Sequence, residues 1–318
     1  MTKKILITGA NGFIGSFLTE GAISRQYETW AGVRESSDRR YLSDPGIRFI
    51  DLDYPDPDAL QKQLEDHVAQ HGKWDYIIHN AGITKCIDTK DFDRINYQHT
   101  VNLVHALQQI NAIPEKFILM SSLSAEYPDT AYGRSKRKAE QFLLSLPDFP
   151  AVILRPTGVY GPREKDYAMV IQSIERGIDI KAGIKPQLLT FIYIKDLVKA
   201  TFIALQSPVN QKIYPVADGD VYTDSEYTGI IRNELRKKWV ASIRIPLWLL
   251  YIVALCCEKS ALLTKKPSTL NTDKYYIMKR RDWRCDVTLL TNDLHFVPDY
   301  TLRAGLQETI RWYRQTLC

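Results

Sequence analysis

Tyr132 and Lys136 stand four residues apart in Tyr132-Gly133-Arg134-Ser135-Lys136, a spacing that places a phenol and an ammonium on one helix face, one turn apart. A phenol has a pKa of about 10 and is a poor base near neutrality; a neighbouring ammonium, or a cationic ring, favours the ionised form and lowers that value. Spacing alone does not single out this pair, because Tyr275 and Lys279 share it. Position does: Tyr132 follows the serine-bearing strand end Phe117–Ser122 and opens a helix expected over 135–146. A second group able to do chemistry is Thr8-Gly9-Ala10-Asn11-Gly12-Phe13-Ile14-Gly15, with glycines at three-residue steps directly after an apolar strand. One such glycine permits a tight turn, one lets backbone approach a pyrophosphate, and one lets helix and strand pack closely, while the following helix aims free N–H groups at the phosphates. This is the pattern of a dinucleotide site.

The residue ending the second strand decides which dinucleotide. An acid there holds the 2′-hydroxyl of the adenosine ribose, and an arginine suits a 2′-phosphate. The sequence reads Ala31-Gly32-Val33-Arg34, with Ser36, Arg39 and Arg40 close behind, so NADP is expected; NAD is the alternative if these are ordinary loop charges. His67 and His71 have the four-residue spacing of metal ligands on a helix, but no glutamate follows His67 and no third ligand is evident, so no metal site is expected.

The elements that must position these residues alternate. Ile5–Thr8, Thr29–Val33, Ile47–Leu52, Tyr76–His79, Phe117–Met120 and Val152–Leu154 read as strands; helices follow the glycine turn and cover Ala59–Val68, Asp91–Gln109 and Ser135–Leu146. Alternation of this kind means parallel crossovers. The expected fold is α/β, a Rossmann doubly wound parallel sheet with a smaller, mostly helical C-terminal substrate-binding lobe. The dinucleotide domain is expected over 1–160, completed by about 187–217, where Phe191–Ile194 and Lys212–Val216 look like strands returning to the sheet; the lobe takes 161–186 and 218–318.

Taken in order, Thr8–Gly15, His79-Asn80-Ala81-Gly82, Asn96, Ser121-Ser122, Tyr132–Lys136, Arg155-Pro156-Thr157-Gly158-Val159-Tyr160-Gly161-Pro162 and Phe191–Leu197 resemble the extended short-chain dehydrogenase/reductases, the NAD-dependent epimerase/dehydratase family. The resemblance is specific through residue 200 and thins after it. It implies Tyr132 as the catalytic acid–base, Lys136 as its partner and the holder of the nicotinamide ribose, and Ser122 as the catalytic serine, with Ser124 in reserve because counting back from Tyr127 lands on Leu123. It also implies that Gly9, Asn11, Gly12, Phe13, Ile14, Gly15, Arg34, Asp51, Leu52, Asn80, Ala81, Gly82, Asn96, Pro156 and Val159 surround the cofactor, with Asp51 and Leu52 by the adenine and Pro156 and Val159 beside the nicotinamide. Sugar-nucleotide enzymes of this class place an arginine just before the segment matching Phe191–Asp196; Gln187-Leu188-Leu189-Thr190 has a leucine there. The expected activity is therefore NAD(P)-dependent interconversion of a secondary alcohol and a ketone on a hydrophobic, sterol-like or lipid-like substrate. The alternatives are a sugar-nucleotide epimerase or dehydratase, with Arg163, Arg280 or Arg281 on the phosphates, and a non-catalytic dinucleotide-binding scaffold or redox sensor. A homodimer is expected through apolar faces on the helices around 91–109 and 135–146.

Composition narrows the partners. The chain has 318 residues, 45% hydrophobic, and a net charge of +5 from scattered basic residues, so a nucleic-acid surface is not expected. Five cysteines (Cys86, Cys256, Cys257, Cys285, Cys318) without a CxxC pair fit reduced thiols. The sequence runs straight into Lys3-Lys4-Ile5-Leu6-Ile7 without a cleavable leader, and a cytoplasmic location is the expectation. No apolar run reaches the roughly 18 residues of a membrane span. Ile245–Leu255 comes nearest and reads as a buried helix, with a lid over an apolar substrate or a weak membrane-surface contact as its other readings.

Overall fold

A computed structural model describes residues 2–264, 268 and 270–317; Cys318 lies outside them. The chain forms two compact units, residues 1–155 with 198–214, and residues 156–197 with 215–318. The first holds strands β1 (Lys4–Thr8), β2 (Glu28–Gly32), β3 (Ile47–Ile50), β4 (Tyr76–His79), β5 (Lys116–Met120) and β6 (Ala151–Pro156), and the sheet is extended by β7 (Lys212–Val216). Their order is β7-β6-β5-β4-β1-β2-β3, and the pairs from β3 through β6 are parallel. Parallel strands are covered on both faces, which is why Ile5, Leu6 and Ile7 are all buried although they alternate in direction. Leu6, Ile77 and Phe117 share one core with Leu60 and Leu64 of helix α2 (Pro57–His71) and with Leu103 and Leu107 of helix α3 (His99–Gln109). Strand order runs outward from β1 in one direction and from β4 in the other. The crevice at their carboxyl ends is thus the topological switch point, where such sheets bind ligands.

Three details depart from the sequence reading. The helix expected over Asp91–Gln109 is interrupted: Lys90–Phe92 is α-helical, Asp93–Gln98 is π-helical, and His99–Gln109 is α-helical again. The widened turn carries Asn96, whose side chain is bonded elsewhere in the unit. Phe191–Tyr193 does not return to the large sheet but pairs in parallel with Gly158–Tyr160, in the second unit; β7 takes the edge beside β6 instead. The expected outward apolar faces are also not found. Between 99 and 144 the exposed positions are mostly polar, among them His105, Gln109, Arg134, Arg137, Lys138 and Gln141; Leu144 is the exposed large apolar side chain there.

The second unit combines short strand pairs with helices Lys165–Glu175, Asp224–Glu234, Leu247–Thr264, Thr272–Lys279, Thr288–Leu294 and Leu302–Leu317. The stretch expected as a buried helix, Ile245–Leu255, is helical from Leu247, but Trp248, Leu249, Tyr251, Ile252 and Val253 are exposed; burial is confined to Leu250 and Ala254.

Helix α1 (Phe13–Ser24) meets β1 through Gly15, where an added Cβ would stand 2.1 Å from the Gly9 carbonyl oxygen and 2.8 Å from Ala10 Cα. Gly15→Ala gains about 1 kcal/mol of helix propensity, but the overpacking against backbone costs about 1–3 kcal/mol. The expected outcome is net destabilisation of up to about 2 kcal/mol in urea unfolding, with weakened dinucleotide binding; a variant more stable than the parent would contradict this packing.

Candidate active site

The glycine turn takes the shape its sequence requires. Gly9 adopts φ +63°, and an added Cβ would lie 2.9 Å from Ala81 Cα. Its N–H donates to the Gly32 carbonyl at 3.0 Å, tying the turn to the end of β2, and Gly12 N–H donates to the Gly9 carbonyl at 3.1 Å. Gly12 caps α1 without a side-chain hydrogen bond, so the backbone N–H groups of the first turn are left to face a ligand. A cavity of 910 Å³ opens here, lined by Gly9, Asn11, Gly32, Val33, Arg34, Glu35, Asp51, Leu52, Ala81 and Gly82 among others. Gly12, Phe13, Ile14 and Gly15 carry the turn into α1. Of the three arginines noted in sequence, Arg34 lines the cavity. Arg39 instead lies over the Phe49 ring at 4.3 Å, and Arg40 pairs with Asp38 at 2.6 Å. Asp51 accepts from the Glu35 N–H at 2.8 Å, so the carboxylate is committed to shaping this loop.

A hydrogen-bonded chain fixes the neighbouring strand end. Thr8 Oγ1 accepts from the N–H groups of Asn80 (3.1 Å) and Ala81 (3.0 Å) and contacts His79 Nδ1 at 2.9 Å; His79 Nε2 contacts Thr100 Oγ1 at 3.1 Å, which donates to the Asn96 carbonyl at 3.1 Å. With Thr8 accepting twice, its own proton goes to Nδ1, and the His79 proton sits on Nε2. Burial lowers the His79 pKa to about 3, which keeps the ring neutral. Asn80 Nδ2 donates to the Gly9 carbonyl at 3.4 Å. Asn96 clamps Ile83 from both sides, accepting from its N–H (2.8 Å) and donating to its carbonyl (3.1 Å), and also donates to Ser135 Oγ at 3.1 Å. Ser135 in turn donates to the Tyr132 carbonyl at 2.8 Å.

Tyr132 and Lys136 lie on helix α4 (Ala131–Leu144), capped by Thr130, whose Oγ1 accepts from Gly133 N–H at 2.9 Å. Lys136 Nζ is buried and donates to the Met120 carbonyl at the end of β5, 2.9 Å away. A Cβ on Gly82 would stand 3.2 Å from that nitrogen, so Lys136 adjoins the residues that line the cavity. One further turn along α4, the buried Glu140 receives Arg155 Nε at 2.9 Å and Nη2 at 2.6 Å, with Ser121 Oγ also donating to it. Burial lowers the Lys136 pKa to about 8, with Glu140 opposing the shift. Ser122 is hydrogen-bonded to Tyr132. Ser122 Oγ also accepts from Ser124 N–H at 3.2 Å, capping the short turn Leu123–Glu126 in which Ser124 is buried. Burial, the larger effect, raises the Tyr132 pKa, and the Ser122 hydrogen bond partly offsets this.

Pro156 ends β6, and Val159 pairs with Ile192; both belong to the second unit. His67 packs between Trp74 (3.9 Å, stacked) and Trp30 (4.4 Å), and burial lowers its pKa to about 4, the signature of a core histidine. Missed in the sequence are Glu140 and the hydrogen-bonding roles of Thr8, His79 and Ser135 within their motifs. The signal for Glu140 was present, since Tyr132, Lys136 and Glu140 form an i, i+4, i+8 row.

Comparison with known proteins identifies relatives of the chain over its whole length. The model of the NAD dependent epimerase/dehydratase family matches residues 5–217. The UDP-glucose 4-epimerase of Vibrio cholerae is 24% identical, over 99% of this chain and 97% of its own length. A ceramide reductase of Caulobacter vibrioides is 25% identical, over 98% of this chain and 94% of its own. The crystal structure of a UDP-glucose 4-epimerase from Thermotoga maritima with UDP-glucose superposes with a TM-score of 0.79 at 19% identity, covering 99% of this chain and 100% of that one.

The Lys136 shift fixes a pH dependence. Between its folded pKa of about 8 and the ordinary 10.5, the unfolded chain holds a proton that the folded chain has released. The contribution of this group to stability therefore rises with pH across that window and is lost as pH falls through about 8. Urea unfolding of the parent against Lys136→Met should show the difference moving in the parent's favour from pH 8 to 10.5; a flat difference would contradict the burial of this ammonium.

Proposed function

Because this chain belongs to the NAD dependent epimerase/dehydratase family, we propose that Ser122, Tyr132 and Lys136 interconvert a secondary alcohol and a ketone against a nicotinamide dinucleotide held along the cavity from Gly9 to Asp51. One observation carries this reading: the Tyr132 phenol is hydrogen-bonded to Ser122, on the same helix face as a buried lysine that adjoins Gly82 of the cavity. The dinucleotide, when bound, supplies the hydride donor or acceptor at nicotinamide C4. Tyr132 transfers the proton of the alcohol oxygen, and Ser122 donates a hydrogen bond to that oxygen as charge develops on it. Burial keeps the phenol protonated, which suits donation to a ketone; its use as a base requires the added positive charge of the oxidised ring. Lys136 holds the nicotinamide ribose, braced by the Met120 carbonyl and Glu140. Gly12–Gly15 and Asn11 meet the pyrophosphate, Leu52 the adenine, Asn80–Gly82 and Asn96 the wall beside it, and Pro156 and Val159 the nicotinamide.

For the substrate, the full-length similarity to a UDP-glucose 4-epimerase favours a sugar nucleotide, on which the hydride step is made on one face and reversed on the other. A hydrophobic ketone is the second reading. It is favoured by Leu188–Leu189, where an arginine clamp for a diphosphate is absent from the sequence, and by the similarity to a ceramide reductase. UDP-sugars interconverted without net dinucleotide turnover would establish the first reading, and net NADPH oxidation with long-chain ketones the second. On either substrate Tyr132→Phe should lower the rate by about 10²–10⁴-fold with dinucleotide binding retained; unchanged turnover would remove Tyr132 from the chemistry. Failure of both panels with tight dinucleotide binding would leave a scaffold or redox sensor.

Arg34 favours NADP, because it lines the cavity just beyond the end of β2 and a guanidinium suits a 2′-phosphate. Losing one charge-assisted contact, about 1.5–3 kcal/mol, weakens binding about 10–100-fold. Arg34→Ala should therefore raise the Kd for NADPH by that factor and leave NADH nearly unchanged; equal effects on both would favour NAD. A homodimer, read from the family resemblance, would pair the polar outward faces of α3 and α4, and light scattering at micromolar concentration decides it.

A further inference from the structure

The strands Ile178–Ala182 and Ala241–Ile245, paired in parallel in the second unit, have reversed polarity. Asp179 and Lys181 alternate with isoleucines, yet it is the charged pair that is buried, at 2.9 Å. Thr228 and Ser242 donate to Asp179 at 3.1 and 3.2 Å, and Arg244 forks onto Asp224 at 2.9 and 3.0 Å. The other face presents Ile178, Ile180 (58% exposed) and Ile243 to the outside. A register slip of one residue would exchange the two faces, so the fold places charge inside and isoleucine outside.

The helix that follows, Leu247–Thr264, also turns apolar side chains outward, although its packed side is apolar too. Leu250 and Ala254 pack with Tyr275 on one side. The opposite side carries Trp248 (66% exposed), Ile252 and Leu263 (85% exposed), where a helix facing water would carry polar residues. Trp239, just before this segment, is 90% exposed. The same stretch is strongly basic: residues 232–284 contain thirteen Lys or Arg against four Asp or Glu, although the whole chain is only +5. Arg236, Lys238, Lys259 and Lys279 are exposed.

We infer that this part of the second unit docks on an anionic lipid surface. Outward tryptophan and aliphatic side chains enter the boundary between headgroups and acyl chains, and the surrounding cations meet the lipid phosphates. A second copy of the chain is a poorer occupant, since isologous pairing would bring the same positive excess against itself. No helix among the described residues is long and apolar enough to cross a membrane, so the contact is with the surface. The inference stands whichever substrate the active site takes.

Co-sedimentation tests it, using vesicles of phosphatidylcholine alone and of phosphatidylcholine with an equal share of phosphatidylglycerol. The chain should sediment with the mixed vesicles and far less with phosphatidylcholine, and added salt should release it. Trp248→Ser combined with Ile252→Ser, and separately Lys237→Glu combined with Lys238→Glu, should each weaken partitioning about tenfold or more, with thermal unfolding like the parent's. Failure of the parent to sediment with mixed vesicles at low salt would overturn the inference. So would undiminished sedimentation of both variants, or a parent dimer, seen by light scattering, that Trp248→Ser with Ile252→Ser splits.

Discussion

A lysine nitrogen buried at the carboxyl end of β5 makes the strictest demand in the dinucleotide unit. An ammonium removed from water is costly unless it is hydrogen-bonded and electrostatically balanced. Lys136 meets this with the Met120 carbonyl and with Glu140 one turn away. Glu140 is itself a buried charge, balanced by Arg155 from β6 and by Ser121 at the end of β5. Breaking that buried pair would cost about 3–5 kcal/mol, far more than an exposed one. The requirement to balance one charge therefore holds α4 against β5 and β6, and with it fixes the height of Tyr132, a turn earlier on the same helix.

The second set of constraints is neutral. Thr8, His79, Thr100 and Asn96 pass hydrogen bonds from β1 through β4 to the π-helical segment, and Asn96 hands them to Ser135 and so to the Tyr132 backbone. The glycine turn and α4 are thus joined by one continuous network, and His79 serves it as a neutral imidazole.

Much of this was legible in the sequence where the determinants are local. The glycine turn depends on missing Cβ atoms at Gly9 and Gly15, and the Tyr132–Lys136 row on helical spacing. Glu140 continues that row, but its role depends on Arg155, fifteen residues on and in β6. The π-helical turn answers to the bonds of Asn96 with Ile83, which no local propensity encodes. Period-two alternation in Ile178-Asp179-Ile180-Lys181 reveals a strand but not its direction, and the usual assumption that isoleucine faces inward is reversed here. The helix Leu247–Thr264 is apolar on both sides, so periodicity could not separate its packed side from its exposed side. The effect of burial on the Tyr132 pKa was not legible for a related reason: the sequence names the charged neighbour, but burial depends on the whole fold.

In the proposed chemistry Tyr132 is a half-buried phenol that the oxidised dinucleotide converts to a base. Carbon-13 NMR of protein labelled at tyrosine Cζ tests it without knowledge of the substrate. On saturation with oxidised dinucleotide, one tyrosine resonance should titrate at lower pH than before, and that resonance should be missing in Tyr132→Phe. Identical titrations with and without dinucleotide, or a shifted resonance that survives in Tyr132→Phe, would contradict the account.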